Sequence, residues 1–189
     1  MKVEPVTLRG QTVRLEPLTI DHVAALGAVG LEPELWRWIP RPVTTVAEMR
    51  EYVEIALDER RRGVSVPFAI VHQPSGRVIG STRYANIDSA NRRLEIGWTW
   101  LTSAHQRTRA NTEAKLLLLT HAFETLGAVR VELKTDALNV QSRTAIVRLG
   151  AIEEGTFRKH VATVSGRWRD VNAAVAIIAA VFLIKIAVT

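Results

Sequence analysis

A strand, a polar loop, a long helix and a second strand follow one another in the second half of the chain, and this order constrains the fold most. Residues 93–101 (RLEIGWTWL) and 128–136 (AVRVELKTD) have strand patterns. Residues 112–126 (TEAKLLLLTHAFETL) have the periodicity of a helix, with Asn111 as the predicted N-cap and Gly127 as the stop. We therefore predict a strand–helix–strand crossover in this region.

The flanking segments predict further strands and helices, and hairpins come before the crossover. A Pro-Ser-Gly turn at 74–76 joins two strand patterns and indicates one such hairpin. The element order predicts a mixed α+β or α/β fold and argues against a doubly wound nucleotide-binding fold. With 189 residues and 47% apolar content, we expect one domain over residues 1–189. The predicted strands are 11–18, 66–72, 77–86, about 152–164 and one after Arg167. The predicted helices are one capped by Thr19 or Asp21 that ends at about Val29, one that follows Thr44 and Thr45 and ends near Gly63, and one from Asn139 to Gly150.

Composition excludes several kinds of site. The chain has no Cys, which rules out disulfides, thiolate zinc sites and cysteine nucleophiles. Its five His show no metal-ligand spacing, so we predict no metal. A net charge of +6 favours anionic partners such as a phosphorylated cofactor. The sequence lacks the basic stripe with interleaved aromatic residues that is typical of nucleic-acid binding, so we predict no nucleic-acid partner. The N-terminus lacks the apolar segment of a secretory signal, so we expect a cytoplasmic protein.

The polar loop before the long helix is cationic. Gln106, Arg107 and Arg109 lie where backbone N–H groups have no intrahelical acceptor and the helix dipole is positive. A pyrophosphate would fit this end of the helix. An ordinary capped helix with solvated arginines explains the same residues, so the physics alone leaves both interpretations open.

The run QRTRANTEAK, from Gln106 to Lys115, resembles the GNAT acetyltransferases, in particular the ribosomal-protein alanine N-acetyltransferases. The segments ALNVQSRTAIVRLGAIEEGTFRKH and SGRWRD also resemble that branch, and the similarity spans about residues 6–170. It implies the GNAT fold: a central, mostly antiparallel sheet of about seven strands flanked by about four helices and splayed at the cofactor site. It also implies acetyl-CoA as cosubstrate, a primary amine as acceptor, and direct attack of the amine on the thioester in a ternary complex. Members of the branch often form dimers, so the resemblance also suggests a homodimer.

The resemblance assigns a set of cofactor-binding residues. Arg109 replaces the first glycine of the family signature, so its side chain either bonds phosphate or blocks the loop sterically. That departure motivates an alternative function, a non-catalytic acyl-CoA-binding module with the same fold. The implied cofactor contacts are Trp98, Trp100, Leu101, Gln106, Arg107, Thr108, Arg109, Ala110, Asn111, Thr112, Asn139 and Ser142.

Two residues are candidates for proton transfer. An arriving ammonium must lose a proton before attack, and the resemblance places Glu95 as the general base. Ser142 would then protonate the departing thiolate. A salt-bridged strand glutamate and a helix cap formed by Asn139 with Ser142 are the structural alternatives.

Aromatic residues are the candidates for the acceptor groove, with core packing as the rival interpretation. They are Trp36, Trp38, Tyr84 and Trp98.

The apolar tail 171–189 departs from the resemblance. Its length would just span a bilayer, but a final core strand to about residue 178 followed by a short apolar element is the preferred interpretation. We therefore do not expect membrane insertion.

Overall fold

The computed structural model describes residues 1–176, and these form one sheet with four α-helices. The strands are β1 Leu8–Arg9, β2 Val13–Pro17, β3 Val66–His72, β4 Arg77–Asp88, β5 Arg93–Leu101, β6 Arg130–Asp136, β7 Ile152–Ala162 and β8 Trp168–Ala176. The helices are α1 His22–Val29, α2 Val46–Arg61, α3 Arg109–Thr120 and α4 Val140–Arg148.

The sheet has eight strands in the order β1-β2-β3-β4-β5-β6-β8-β7. Neighbouring strands are antiparallel except β5 and β6, which the α3 crossover makes parallel. That parallel pairing covers only Arg93–Glu95 against Arg130–Glu132 before the strands diverge. The mixed, mostly antiparallel and splayed sheet predicted from the sequence is confirmed. The additional strand is β1, whose two residues are too short to show an alternating pattern.

Two apolar cores lie on opposite faces of the sheet. On one face, Ala114 and Leu118 of α3 pack against Phe68 and Leu94 of the sheet. On the other face, α1, α2 and a 3₁₀ turn at Pro33–Trp36 cover a second core that includes Trp100. Burial of apolar side chains therefore holds helices against both faces of the sheet. The start of α3, which contributes to the functional site, lies on the first of these faces.

The start of α3 differs from the prediction. The helix begins at Arg109, and its N-cap is Thr108, whose hydroxyl accepts the N–H of Ala110 at 3.2 Å. Asn111 therefore lies within the first turn and is not the cap. A threonine hydroxyl is well suited to this position, and it captures the helix three residues earlier than the apolar periodicity indicated.

The end of the same helical segment also differs. Its last turn, His121–Thr125, is π-helical. Gly127 follows with φ of +67° and stops the segment as predicted.

The final strand confirms part of the tail prediction. β8 runs to Ala176 between β6 and β7, so residues 171–176 form a core strand. The remainder of the apolar tail, 177–189, and with it the tail-anchor alternative, lies outside the described residues. In residues 1–176, no helix combines the length and apolar character needed to cross a membrane.

Glu113 of α3 fixes the N-terminal hairpin. Its buried carboxylate accepts the N–H groups of Gln11, Thr12 and Val13 at 2.9, 2.7 and 2.7 Å. Glu113→Ala leaves these N–H groups without an acceptor, so we expect the free energy of unfolding to fall by about 2–4 kcal/mol. Denaturant unfolding measures this, with the exposed Glu54→Ala of α2 as the control. Equal losses in the two variants would show that the carboxylate does not hold the hairpin.

Candidate functional site

A cavity of about 560 Å³ opens where β5 and β6 diverge, a volume typical of small-molecule sites. Its walls come from β5, β6, the turn before α3, the starts of α3 and α4, and the segment between α1 and α2. Strand ends and helix starts thus converge on one space, since the crossover requires α3 to begin at the end of β5.

A β-bulge in β5 shapes one wall of this cavity. Trp98 and Thr99 together face Thr82 alone, since Gly97 pairs with Arg83 and Trp100 with Ser81. Trp98 has a φ of +49°, which is uncommon for a bulky residue.

The bulge turns the Trp98 side chain outward. Its ring lines the cavity with 37% of its surface exposed, and the guanidinium of Arg83 lies 5.2 Å from the ring centroid. The bulge therefore breaks the regular ladder of β5 at the cavity and presents backbone and an aromatic ring to it.

The turn before α3 forms the cationic end of the cavity. Gln106, Arg107 and Asn111 line it, and Arg107 has a φ of +58°. The Thr108 hydroxyl accepts the N–H of Ala110. The other N–H groups of the first helical turn have no intrahelical acceptor. These donors and the Arg107 guanidinium point to an anionic ligand.

Arg109, which stands at the first glycine of the signature, is not one of the residues that line the cavity. It is the first residue of α3, exposed, with a negative φ, so it neither strains nor blocks the turn. The left-handed residue is Arg107, two positions earlier. Of the other predicted cofactor contacts in this stretch, Thr108, Ala110 and Thr112 do not line the cavity with their side chains.

Glu95 lies inside the cavity, only 6% exposed, at the point where β5 and β6 separate. Its Oε2 accepts hydrogen bonds from Asn86 Nδ2 at 2.8 Å and Lys134 Nζ at 3.0 Å. Lys134 also contacts Glu132 at 2.7 Å. Burial opposes the charge of Lys134, but the hydrogen bond to Glu132 and the charge of Glu95 raise its pKa. Glu95 is thus a paired carboxylate with Oε1 directed toward Gly97.

Lys115 is a second buried charge-bearing group in the cavity, 7% exposed. Its Nζ donates to Thr99 Oγ1 in the bulge at 2.5 Å. Burial lowers the pKa of this amine to about 7, although the negative charge of Glu95 limits the fall. The cavity therefore holds an amine that can exchange a proton near neutral pH.

The start of α4 closes another side of the cavity. Asn139 is the N-cap, and its Oδ1 accepts the N–H of Ser142 at 3.0 Å. Both residues also line the cavity. The capping interaction predicted from the sequence is present, and it leaves the Ser142 hydroxyl and the Asn139 amide NH₂ available to a ligand.

The aromatic candidates divide between cavity and core. Trp38 lines the cavity, as Trp98 does. Trp36 is 1% exposed and donates from Nε1 to Gly30 O, and Tyr84 is fully buried with its hydroxyl bonded to Leu118 O. The structure therefore places Trp36 and Tyr84 in the two cores rather than along the cavity, because each has a backbone acceptor for its polar atom there.

Sequence reasoning missed Lys115, Lys134 and Asn86. Lys115 is part of the signature-like run, follows Asn111 by one helical turn and directly precedes the apolar run 116–119, but the resemblance assigns it no role. The partners of Glu95 come from β4 and β6, and the sequence does not give the register that brings their side chains to Glu95. Among residues 1–176, no group of three or more His, Cys, Asp or Glu could hold a metal ion.

Comparison with known proteins adds a family match. Residues 12–152 match the acetyltransferase (GNAT) domain family. The chain is 26% identical over 155 residues to "Uncharacterized N-acetyltransferase p20" of Bacillus licheniformis, covering 82% of this chain and 86% of the relative.

Solved structures agree with this match. A GCN5-related N-acetyltransferase from Brucella melitensis superposes with a TM-score of 0.90 at 31% identity, covering 99% of this chain and 85% of the other. Mycobacterium smegmatis RimJ in complex with CoA-disulfide has a TM-score of 0.83 at 24% identity, covering 97% and 95%. At 24% identity, the similarity to RimJ supports the fold alone.

The buried Lys115 amine predicts a pH-dependent stability. Its pKa in the folded chain, about 7, lies below its ordinary value of 10.5, so the unfolded chain binds more protons between these values. Its contribution to the unfolding free energy therefore rises with pH across this window, by up to about 1.4 kcal/mol per pH unit. Denaturant unfolding of the wild type and Lys115→Met from about pH 7 to 10 should show this rising difference. The difference in unfolding free energy between the wild type and the Lys159→Met control, which changes an exposed side chain, should not vary over this pH range. A difference that is also constant for Lys115→Met would contradict the burial of a titrating amine.

Proposed function

The chain belongs to the GNAT acetyltransferase family, and we propose that the cavity between β5 and β6 holds acetyl-CoA and a primary amine together for direct acetyl transfer. GNAT acetyltransferases use acetyl-CoA as the acetyl donor. The observation that carries the assignment of the site is the cavity itself, which has a cationic helix start at one end and a buried carboxylate at the other. The acceptor class that we propose is a primary amine of a small molecule or of a protein N-terminus.

The pyrophosphate end of the cofactor fits the turn from Gln106 to Asn111. Free N–H groups of the first turn of α3 and the helix dipole stabilise phosphate oxygens there, and Arg107 adds a charged donor. Arg107 has a positive φ, and turns of this kind can direct successive backbone N–H groups toward one anion.

The pantetheine arm would then run into the gap between the strands. Beyond Glu95, β5 has no partner on its β6 side, and the backbone groups freed there can pair with amides of the arm. Asn139 and Ser142 face the same gap from α4. In this proposal the thioester lies close to the bulge at Trp98.

The acceptor enters from the side of Trp38 and Trp98. An amine arrives as a cation, and the aromatic rings and the Glu95 carboxylate that line the cavity favour a cation there. Glu95 then takes one proton from the ammonium, so that the neutral nitrogen can attack. The hydrogen bonds from Asn86 and Lys134 hold the carboxylate in place for this transfer.

Transfer proceeds by attack of the amine nitrogen on the thioester carbonyl carbon. A backbone N–H of the bulge polarises the carbonyl oxygen, the C–N bond forms, and the C–S bond breaks with its electron pair on sulfur. Ser142 supports the thiolate by a hydrogen bond. The rival function, a non-catalytic acyl-CoA-binding module, was motivated by Arg109, and that residue lies exposed in α3.

The catalytic proposal predicts turnover that depends on Glu95. Purified protein with acetyl-CoA and a panel of amines should release free thiol, and Glu95→Gln should lower kcat by about 10²-fold or more, with acetyl-CoA affinity almost unchanged. Glu132→Gln is the matched control, since Glu132 belongs to the same ion-pair cluster but does not line the cavity. If the two variants lose the same activity, Glu95 acts only through the cluster. Acetyl-CoA binding without thiol release for any amine would favour the non-catalytic module.

The cofactor proposal predicts a difference between the two arginines of the turn. Arg107→Gly removes the guanidinium, and glycine still adopts the positive φ of this position. We therefore expect the binding free energy of acetyl-CoA to weaken by about 1.5–3 kcal/mol. Arg109→Ala, which removes an exposed side chain on α3, should change it by less than about 0.5 kcal/mol. Isothermal titration calorimetry with acetyl-CoA measures both. The reverse order of effects would place the pyrophosphate on the other side of the turn.

A further inference from the structure

Lys115 is a buried ionisable residue of the cavity that has no part in the acetyl transfer described above. It lies one helical turn beyond Asn111, on the face of α3 that meets the bulge of β5. Within residues 1–176 its amine forms no ion pair, and it donates a hydrogen bond to Thr99 Oγ1. A lysine is rarely buried without a carboxylate partner, so its position requires an explanation.

The contact with Thr99 fixes the amine at the reacting end of the cavity. Thr99 Oγ1 also lies 2.7 Å from Thr82 Oγ1 and 3.4 Å from Gly97 O, so the hydroxyl is held on both sides of the bulge. The amine is therefore positioned at the wall of the cavity to which the thioester is assigned.

A thiolate that leaves an acyl group needs a proton, and donors differ in how well they supply it. The cysteine thiol has a pKa of about 8.5, and the thiol of CoA, which has no backbone amides beside it, is a weaker acid still. A serine hydroxyl is a far weaker acid, so Ser142 can donate a hydrogen bond to the sulfur but does not give up its proton. The Lys115 ammonium, whose pKa burial lowers to about 7, is a stronger acid than the thiol, and transfer from it is downhill.

We propose that Lys115 is the catalytic acid that protonates the sulfur of the departing CoA, an inference that rests on the acetyl transfer proposed above. As the C–S bond breaks, the proton moves from Nζ to sulfur, which gives free CoA thiol and a neutral lysine. The new amide nitrogen loses its second proton to Lys115 and restores the ammonium. Glu95 releases the first proton of the substrate to water, so the cycle balances.

Several charged groups share the cavity with Lys115 and shape its titration. Glu95 faces it from β5 and favours the ammonium form. The other charged or titratable side chains that line the cavity are Glu34, Arg107, Lys134, His160 and Arg169. Because these surroundings also titrate or carry charge, the test compares leaving groups rather than relying on a pH profile.

The experiment compares two acetyl donors in the full chain. The donors are acetyl-CoA and an acetyl thioester of an acidic aryl thiol, whose thiolate leaves without protonation. Initial rates of thiol release are measured for the wild type, Lys115→Met and the exposed Lys2→Met control, with thermal melts to verify folding. The amine acceptor is one that the wild type acetylates.

Lys115→Met should lower kcat with acetyl-CoA by about 10²-fold or more, with KM for acetyl-CoA within about threefold of wild type. With the aryl thioester the loss should shrink to a few fold, and Lys2→Met should match the wild type with both donors. An equal loss with both donors, or no loss with acetyl-CoA, overturns the role of Lys115 as acid while leaving acetyl transfer intact. A wild type that releases no thiol with any amine overturns the proposed function and this inference with it.

If Lys115→Met does not fold, Thr99→Val provides the second variant. It removes the acceptor that positions the amine and keeps the lysine. The same selective loss with acetyl-CoA supports the proposal, and a loss that is equal for both donors overturns it.

Discussion

The rest of the structure depends on the short parallel pairing of β5 with β6. Three residue pairs join the strands, Arg93–Glu95 with Arg130–Glu132, and then the strands separate. Beyond this point the bulge at Trp98 turns β5, and β6 pairs with β8 on its other side. Backbone groups in the gap cannot pair across the sheet, so an open cavity between strands remains stable only because it is available to water or to a ligand with amides of its own.

Ion pairs stabilise both ends of this gap. At the closed end, Lys134 joins Glu95 to Glu132. At the open end, the fully buried Asp136 accepts from Arg169 Nε at 3.0 Å and also contacts Arg167, which ties β6 to β8. Burial opposes the charge of Asp136, but the Arg167 hydrogen bond lowers its pKa. Buried charges are tolerated here because each has a partner; Lys115 is the exception, and its lowered pKa is the consequence.

The sequence predicts the elements well and the site incompletely. The crossover, the Asn139 cap and the final strand follow from periodicity and capping preferences, which are local properties. The start of α3 was placed too late because a threonine hydroxyl at 108 competes successfully for the cap. The left-handed conformation of Arg107 and the burial of Lys115 depend on how a helix start meets a strand bulge. Such contacts join residues far apart in sequence, so neither spacing nor propensity reveals them.

A crystal structure of the protein with CoA bound tests most directly whether the cavity between β5 and β6 is the site of acetyl transfer. We expect the pyrophosphate against the turn from Gln106 to Asn111, the pantetheine arm in the gap between β5 and β6, and the sulfur beside Thr99 and Lys115. Electron density for CoA outside this gap, or a pantetheine arm that does not reach the bulge, would contradict the assignment of the cavity as the site of acetyl transfer.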